Sequence, residues 1–398
     1  VGGDQVRVRL SNLYGEQPVT VNAAHIALGA TGTGDSSAIV AGGDRMLEFG
    51  GKSSTTIAPG EVVASDPVSL PVKNLSRLVV SLYFVGATTF GDMHDLEPLD
   101  VDVGSMVAGD ATDAQSFAGR KRLHVLGEHS DHHVYMLAGI DVIAPESTRG
   151  IVAFGDSITD GAYATGLASP WPEALAALAD GGNGQAPVAV VNEGISGNEL
   201  TADQIGYPRS GMSGLKRFEH DAIDQPGVTD VIVLLGTNDI NRGIGRAGWP
   251  VGASAQDLIE GLRMLADVAH FHHLRIYAGT IPPFAGFKYT GWYTPQKEAV
   301  RERVNDWILH THVFDGVIPF AGVLTGPYQP SPLAARQPTL PPGMAEVCAA
   351  DGGLHPNDRG YEAMAVAAYN MLFDRHARAA SPCGQHVSAP GAPVRPGH

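Results

Sequence analysis

Two hydrophobic periodicities divide the chain. Before Pro145, apolar residues alternate with polar ones in short runs. Val6-Arg7-Val8-Arg9-Leu10 is the clearest, with the pattern of a strand that buries one face. Residues 19–21, 45–49, 54–57, 78–84 and 134–142 read as further strands, and turn pairs such as Gly42-Gly43 and Pro59-Gly60 punctuate them. No stretch in this part carries helical periodicity. Many short strands between frequent turns predict an all-β sandwich or jelly-roll over residues 1–148.

From Arg149 onward the apolar runs are continuous rather than alternating. Ile151-Val152-Ala153-Phe154, Val188-Ala189-Val190-Val191, Val231-Ile232-Val233-Leu234-Leu235 and Leu274-Arg275-Ile276-Tyr277-Ala278 each read as a strand buried on both faces. Helical patterns stand between them. Residues 171–178 form one. Residues 257–271 place Leu258, Leu262, Leu265 and Ala269 on one face. Pro295 suits the first turn of a helix whose buried face is Val300, Val304, Trp307 and Ile308. After a Pro-rich loop (326–343), a last helix presents Tyr361, Met364, Ala365, Ala368, Met371 and Leu372. Repeated βα units predict an α/β domain over residues 149–380, a parallel sheet between helices. The Gly- and Pro-rich tail, 381–398, is expected to be disordered.

Composition narrows the function classes. The chain has 398 residues, 43% of them hydrophobic, enough for two cores, and no apolar run reaches the length of a membrane span. The net charge of -16 repels a phosphate backbone, which argues against nucleic acid as a partner. A chain that begins at Val1 is expected to have lost an N-terminal segment, although no signal peptide stands in the sequence to show export. The two cysteines, Cys348 and Cys383, flank the last helix. Two unrelated buried thiols are one reading. Pairing is the better one, because Cys383 lies in a polar, Pro/Gly-rich context that does not bury a free thiol.

Polar motifs follow the predicted strands. The first strand leads into Gly155-Asp156-Ser157, the second into Asn192-Glu193-Gly194-Ile195-Ser196-Gly197-Asn198, and the third into Gly236-Thr237-Asn238-Asp239. Asp351-Gly352-Gly353-Leu354-His355-Pro356-Asn357 stands just before the last helix. In a parallel sheet the strand ends share one edge, so the four segments can converge. The first is weak alone: Gly34-Asp35-Ser36 repeats it with no strand before it, and a helix-capping hydroxyl would account for it. Together they supply the parts of acyl transfer. Ser157 is the candidate nucleophile and His355 its general base. The backbone N–H groups of Ser157 and Gly197 and the Asn238 side chain offer three oxyanion donors. Asp156 and Asp239 fit loop support better than reaction.

Two other patterns carry less. Gly51-Lys52-Ser53 resembles the end of a phosphate loop, but Met46 stands where a glycine is required. Glu128, His129, Asp131, His132 and His133 read as a polar loop, because adjacent histidines on a strand face opposite sides. No metal or cofactor is expected.

The four blocks, in this order, resemble the SGNH, or GDSL, esterase and lipase superfamily. The front third is similar to the β-domain of an actinobacterial and fungal subgroup through Arg7-Val8-Arg9-Leu10-Ser11-Asn12 and Ser65-Asp66-Pro67-Val68. The resemblance implies a flavodoxin-like three-layer fold and a Ser–His–Asp site. That family places an Asp three residues before the histidine; here Gly352 stands there and Asp351 lies four before. Either Asp351 orients His355 through a bulged loop, or a backbone carbonyl does so in a Ser–His dyad. The absence of any G-x-S-x-G elbow separates the chain from α/β-hydrolase lipases. The expectation is a secreted serine esterase acting on short acyl esters or on acetyl esters of carbohydrates. A lipase or phospholipase of the same superfamily and a non-catalytic carbohydrate-binding relative are the alternatives.

Overall fold

The computed structural model describes residues 1–98, 104–120, 123, 133–180, 186–204, 210–242, 252–287, 291–325, 343–379 and 383. The possible metal ligands Glu128, His129, Asp131 and His132, most of the Pro-rich loop and all of the tail except Cys383 lie outside them.

The C-terminal sheet has five parallel strands: Arg149–Gly155, Val188–Gly194, Val228–Leu234, Arg275–Gly279 and Gly316–Ile318. Numbered by position in the chain, their order across the sheet is 2-1-3-4-5. Alternation along the first strand shows why this is a three-layer structure. Val152 and Phe154 enter one core with Val231 and Val233, under Ala255–Phe271 and Pro295–His310. Ile151 and Ala153 enter the other with Ile232 and Leu234, under Trp171–Asp180 and Asp358–Phe373. Burying both faces demands the continuous apolar runs seen in the sequence. Each fully buried Leu, such as Leu258 or Leu175, contributes roughly 1.5–3 kcal/mol by leaving water.

Capping fixes where the long helices begin. Ser254 and Asp257 form a reciprocal capping box, Thr294 caps the helix that opens with Pro295, and Asn357 caps the last helix immediately after the His355 block. The last helix departs from the expected face at Met371, which is 40% exposed while Leu372 is buried. The fifth strand, Gly316–Ile318, was not foreseen, since three residues carry no periodicity.

The N-terminal part is strand-rich, and its pairings are antiparallel. Gly3–Asn12 pairs with Leu137–Val142, Glu61–Ala64 and Val68–Val72, and Ala23–Gly29 pairs with Ile39–Met46 and Leu78–Tyr83. Val6, Val8 and Leu10 from the first sheet share one core with Ala24 and Ile26 from the second. The strand expected at 45–49 lies earlier, at Ile39–Met46, and Phe49 is buried beyond its end. The run 134–142 is split at Met136, whose φ of 60° breaks the extended chain between His133–Tyr135 and Leu137–Val142. Ala23–Gly29 was missed because Ala23, Ala24 and Ala27 give little strand signal. The two parts touch through Arg9, whose Nη2 donates to Gln225 Oε1 at 2.7 Å, and through His94 and Asp160, 3.4 Å apart.

Cys348 and Cys383 are joined in a disulfide across 35 residues. The loop so closed holds Asp351, His355 and the last helix. Chain-entropy arithmetic for a loop of this length gives about 4 kcal/mol of stability. Replacing both cysteines by serine should therefore lower the denaturant midpoint by that equivalent. Equal midpoints for the two proteins would show that the bridge does not stabilise the fold.

Candidate active site

The first strand ends at Gly155, and the chain turns at once into a single helical turn, Ser157–Asp160. Asp156 caps it: its Oδ1 accepts the Ile158 N–H at 3.0 Å. Ser157 is thereby held at the carboxyl edge of the sheet. From the far end of the sequence, the segment before the last helix brings His355 Nε2 to 2.9 Å from Ser157 Oγ. His355 Nδ1 lies 2.6 Å from Asp351 Oδ2. A carboxylate can only accept, so Nδ1 carries the ring proton and Nε2 presents its lone pair to the serine hydroxyl.

The structure therefore places Asp351 against His355, despite its shifted spacing. Gly352 and Gly353 absorb the extra residue at φ of 91° and 122°, a region that side-chain-bearing residues avoid. The Asp351 carboxylate also accepts the N–H groups of Leu354 at 3.1 Å and His355 at 3.0 Å. Burial pushes this carboxyl up, but its hydrogen bond to His355, the imidazole charge and the two backbone donors outweigh burial and hold it below the usual range.

The oxyanion candidates stand on the neighbouring strand ends. Gly197 adopts φ of 72°, and a Cβ there would lie 2.5 Å from Ser210 Oγ, so the loop needs a glycine. Asn238 Nδ2 donates to the Asn198 carbonyl at 3.0 Å and lies 3.4 Å from Asp156 Oδ2. One amide hydrogen is thus committed to Asn198 and fixes the amide plane, and the other makes only a long contact. Asp239 braces the same loop. It accepts the N–H groups of Leu200 and Thr201, each at 2.8 Å, and the Thr201 hydroxyl at 2.7 Å. Burial raises its carboxyl despite these donors.

Several neighbours were not singled out from sequence. Tyr163, with φ of 66°, lays its ring 5.3 Å from the His355 ring, and Phe287 meets that ring edge-on at 6.3 Å. Asn198 is fully buried and donates through Nδ2 to the Ser210 and Met212 carbonyls, each at 2.7 Å. No motif marks Tyr163 or Phe287, whereas Asn198 adjoins Gly197 and was within reach. Behind the Gly197 loop, a cavity of about 1680 Å³ opens between the two parts, lined among others by Tyr14, Phe90, Tyr135, His94, Glu193 and Ser196. The second Gly-Asp-Ser, at 34–36, sits in a turn where Asp35 accepts the Ser37 N–H. Among the described residues, no group of His, Cys, Asp and Glu is arranged to hold a metal ion, and no helix is long and apolar enough to cross a membrane. His133, from the sequence cluster, is buried against Asp95 at 3.2 Å.

The structure thus brings a serine, an imidazole and a carboxylate into one hydrogen-bonded line. The GDSL-like lipase/acylhydrolase family model matches residues 153–363, and the chain belongs to that family. It is a carboxylic ester hydrolase. Among solved structures, the chain is similar to a protein assigned as lipolytic, of the G-D-S-L family, from Desulfitobacterium hafniense DCB-2, at 20% identity over 56% of this chain and 98% of that one, with a TM-score of 0.38. It is similar to Est24, a carbohydrate acetylesterase from Sinorhizobium meliloti, at 15% identity over 56% and 97%, with a TM-score of 0.41. The aryl esterase of M. smegmatis matches at 17% identity over 56% and 97%, also with a TM-score of 0.41. No curated protein matches the chain.

Asp156 has a measurable consequence. Its carboxyl is 1% exposed, and burial pushes it up to about 7; Asp239 adds to this, while the Ile158 N–H, His355 and Arg217 pull it down. Glu199 is likewise raised to about 7, mainly by burial. Both groups hold protons more tightly folded than unfolded. The stability this gives is complete below about pH 4 and is lost as pH rises through about 7. The Tm should fall between about pH 5 and 8, with a shallower slope in Asp156→Asn. A slope identical to that of the unmodified protein would mean that folding leaves the Asp156 carboxyl unperturbed.

Proposed function

We propose that this protein is a secreted serine esterase that hydrolyses short-chain acyl esters or acetyl esters of carbohydrates through an acyl-enzyme. The observation that carries the reading is the line from Ser157 Oγ through His355 to Asp351, at 2.9 and 2.6 Å. His355 Nε2 takes the Ser157 proton as Oγ attacks the acyl carbon. The Ser157 and Gly197 N–H groups and the Asn238 amide receive the developing oxyanion. The imidazolium, held by the Asp351 carboxylate, gives its proton to the departing alkoxide. Water then repeats the sequence on the acyl-enzyme, with His355 again as base. Asp156 caps the serine turn, and Asp239 holds the loop after Gly197.

The disulfide supports an oxidising compartment and hence export. Tyr163 and Phe287 put aromatic rings beside the imidazole, surfaces suited to a compact acyl group or a sugar ring. The cavity behind the Gly197 loop combines aromatic faces with carboxylates and imidazoles, the groups that pack against and hydrogen-bond a polyol.

Ser157→Ala should lower kcat by roughly 10⁴–10⁶, and a fluorophosphonate should label Ser157. Labelling elsewhere, with activity kept in the Ala variant, would overturn the assignment. Asp351→Asn should lower kcat by up to about 10⁴, because the ring loses the acceptor that fixes its tautomer. A loss under about tenfold would return the role to a backbone carbonyl. For substrate class, kcat/KM on an ester series from acetyl to palmitoyl should fall as the chain lengthens, and acetylated xylan should release acetate. A maximum at palmitoyl would make the protein a lipase instead.

A further inference from the structure

Arg217 is 2% exposed, and its guanidinium lies at the rear of the site. It stacks 4.0 Å over the Phe154 ring, and its planar fork reaches four acceptors. Nη2 donates to the Gly155 carbonyl at 2.8 Å and Nε to Asn198 Oδ1 at 3.0 Å. Nη1 donates to the Glu193 carbonyl at 3.0 Å and to Asp221 Oδ2 at 2.9 Å. These acceptors are not a random set. Gly155 ends the strand that delivers Ser157. Glu193 lies on the adjacent strand, paired with Phe154. Asn198 follows Gly197, and its carbonyl is the acceptor that fixes the Asn238 amide.

Burying a guanidinium is costly, and an apolar side chain of similar volume would fill the space without that cost. What an apolar side chain cannot do is donate in one plane to two strand-end carbonyls and an amide oxygen. We infer that Arg217 is the positioning residue of the oxyanion hole: it sets the distance between the Ser157 turn and the Gly197–Asn198 loop, and through the Asn198 carbonyl it sets the aim of Asn238. This rests on the acyl-enzyme reading above. Arg217 borders the cavity behind the Gly197 loop but is only 2% exposed, and it meets the oxyanion donors through its acceptors rather than at the reacting atoms. Its effect reaches the reaction only through donors whose bonds strengthen in the transition state, so its loss should appear in kcat and not in KM.

The test uses Arg217→Lys, which keeps a buried cation but loses the fork, with p-nitrophenyl acetate as substrate. The variant should fold, shown by its circular dichroism and a cooperative melt. Its kcat should fall by about 10–100-fold with KM within about twofold. The decisive readout is a double-mutant cycle with Asn238→Ala. If Arg217 acts by aiming that amide, Arg217→Lys should cost much less kcat once Asn238 is Ala. A merely structural role predicts losses that multiply, and that result overturns the inference, as does a raised KM with unchanged kcat. Asn198→Ala cuts the same link while leaving the guanidinium its other three acceptors, and it decides the matter should the Lys variant not fold. The same kcat-only loss supports the inference; unchanged kcat overturns it. Ser157→Ala, run alongside, separates the two levels. If it keeps activity, the acyl-enzyme reading fails. If it is inactive while Arg217→Lys and Asn198→Ala behave like the unmodified protein, only the role of Arg217 fails.

Discussion

One 2.9 Å contact, between Ser157 and His355, spans 198 residues of sequence, and much of the α/β part serves to keep it. A hydrogen bond of this kind tolerates only a few tenths of an ångström of drift, so both ends must be held independently. The serine end is held by the sheet and by the Asp156 cap. The histidine end is held by the last helix, which is tied to the segment following the serine. Tyr361 OH donates to the Ala162 carbonyl at 2.7 Å, and the Thr165 N–H donates to Asp358 Oδ1 at 2.8 Å. Both tethers pull the start of the last helix onto the turn that carries Ser157.

The charges around this contact are arranged in opposite senses. Asp351 is kept ionised by four favourable influences that overcome burial, and it can therefore hold a positive imidazole. Asp156, one residue from Ser157, has fewer such partners, and burial prevails. In the proposed mechanism, a full negative charge beside Ser157 would oppose the developing oxyanion. The desolvation that raises Asp156 lessens that opposition near neutrality. Two carboxylates of the same chemistry thus take different protonation behaviour from the number of donors each can reach.

The legible part of the chain was the part governed by local rules. Strands such as Val231-Ile232-Val233-Leu234 announce themselves because both faces are buried, and Pro295 marks the start of one helix. Ser157, Gly197, Asn238 and His355 stood out as candidates because each sits at a strand end or just before a helix. Asp351 was half legible: its spacing pointed both ways, and it reaches 2.6 Å from His355 Nδ1 only because Gly352 and Gly353 take positive φ. Arg217 was not legible. In Leu215-Lys216-Arg217-Phe218 it resembles a solvated charge, while its partners Gly155 and Asn198 lie 62 and 19 residues away. The N-terminal strands at 61–64 and 68–72 escaped notice for a related reason, since their pairing with Gly3–Asn12 is long-range and their own pattern is short.

The bridge between Cys348 and Cys383 also changes what a broken backbone means. It encloses the segment that carries Asp351, His355 and the whole last helix. A protease that cuts one peptide bond inside this ring divides the chain without releasing either piece. The severed end stays tethered through sulfur, and Tyr361 remains packed beneath the serine turn. Such a ring lets a nicked molecule keep Ser157 and His355 within reach of each other.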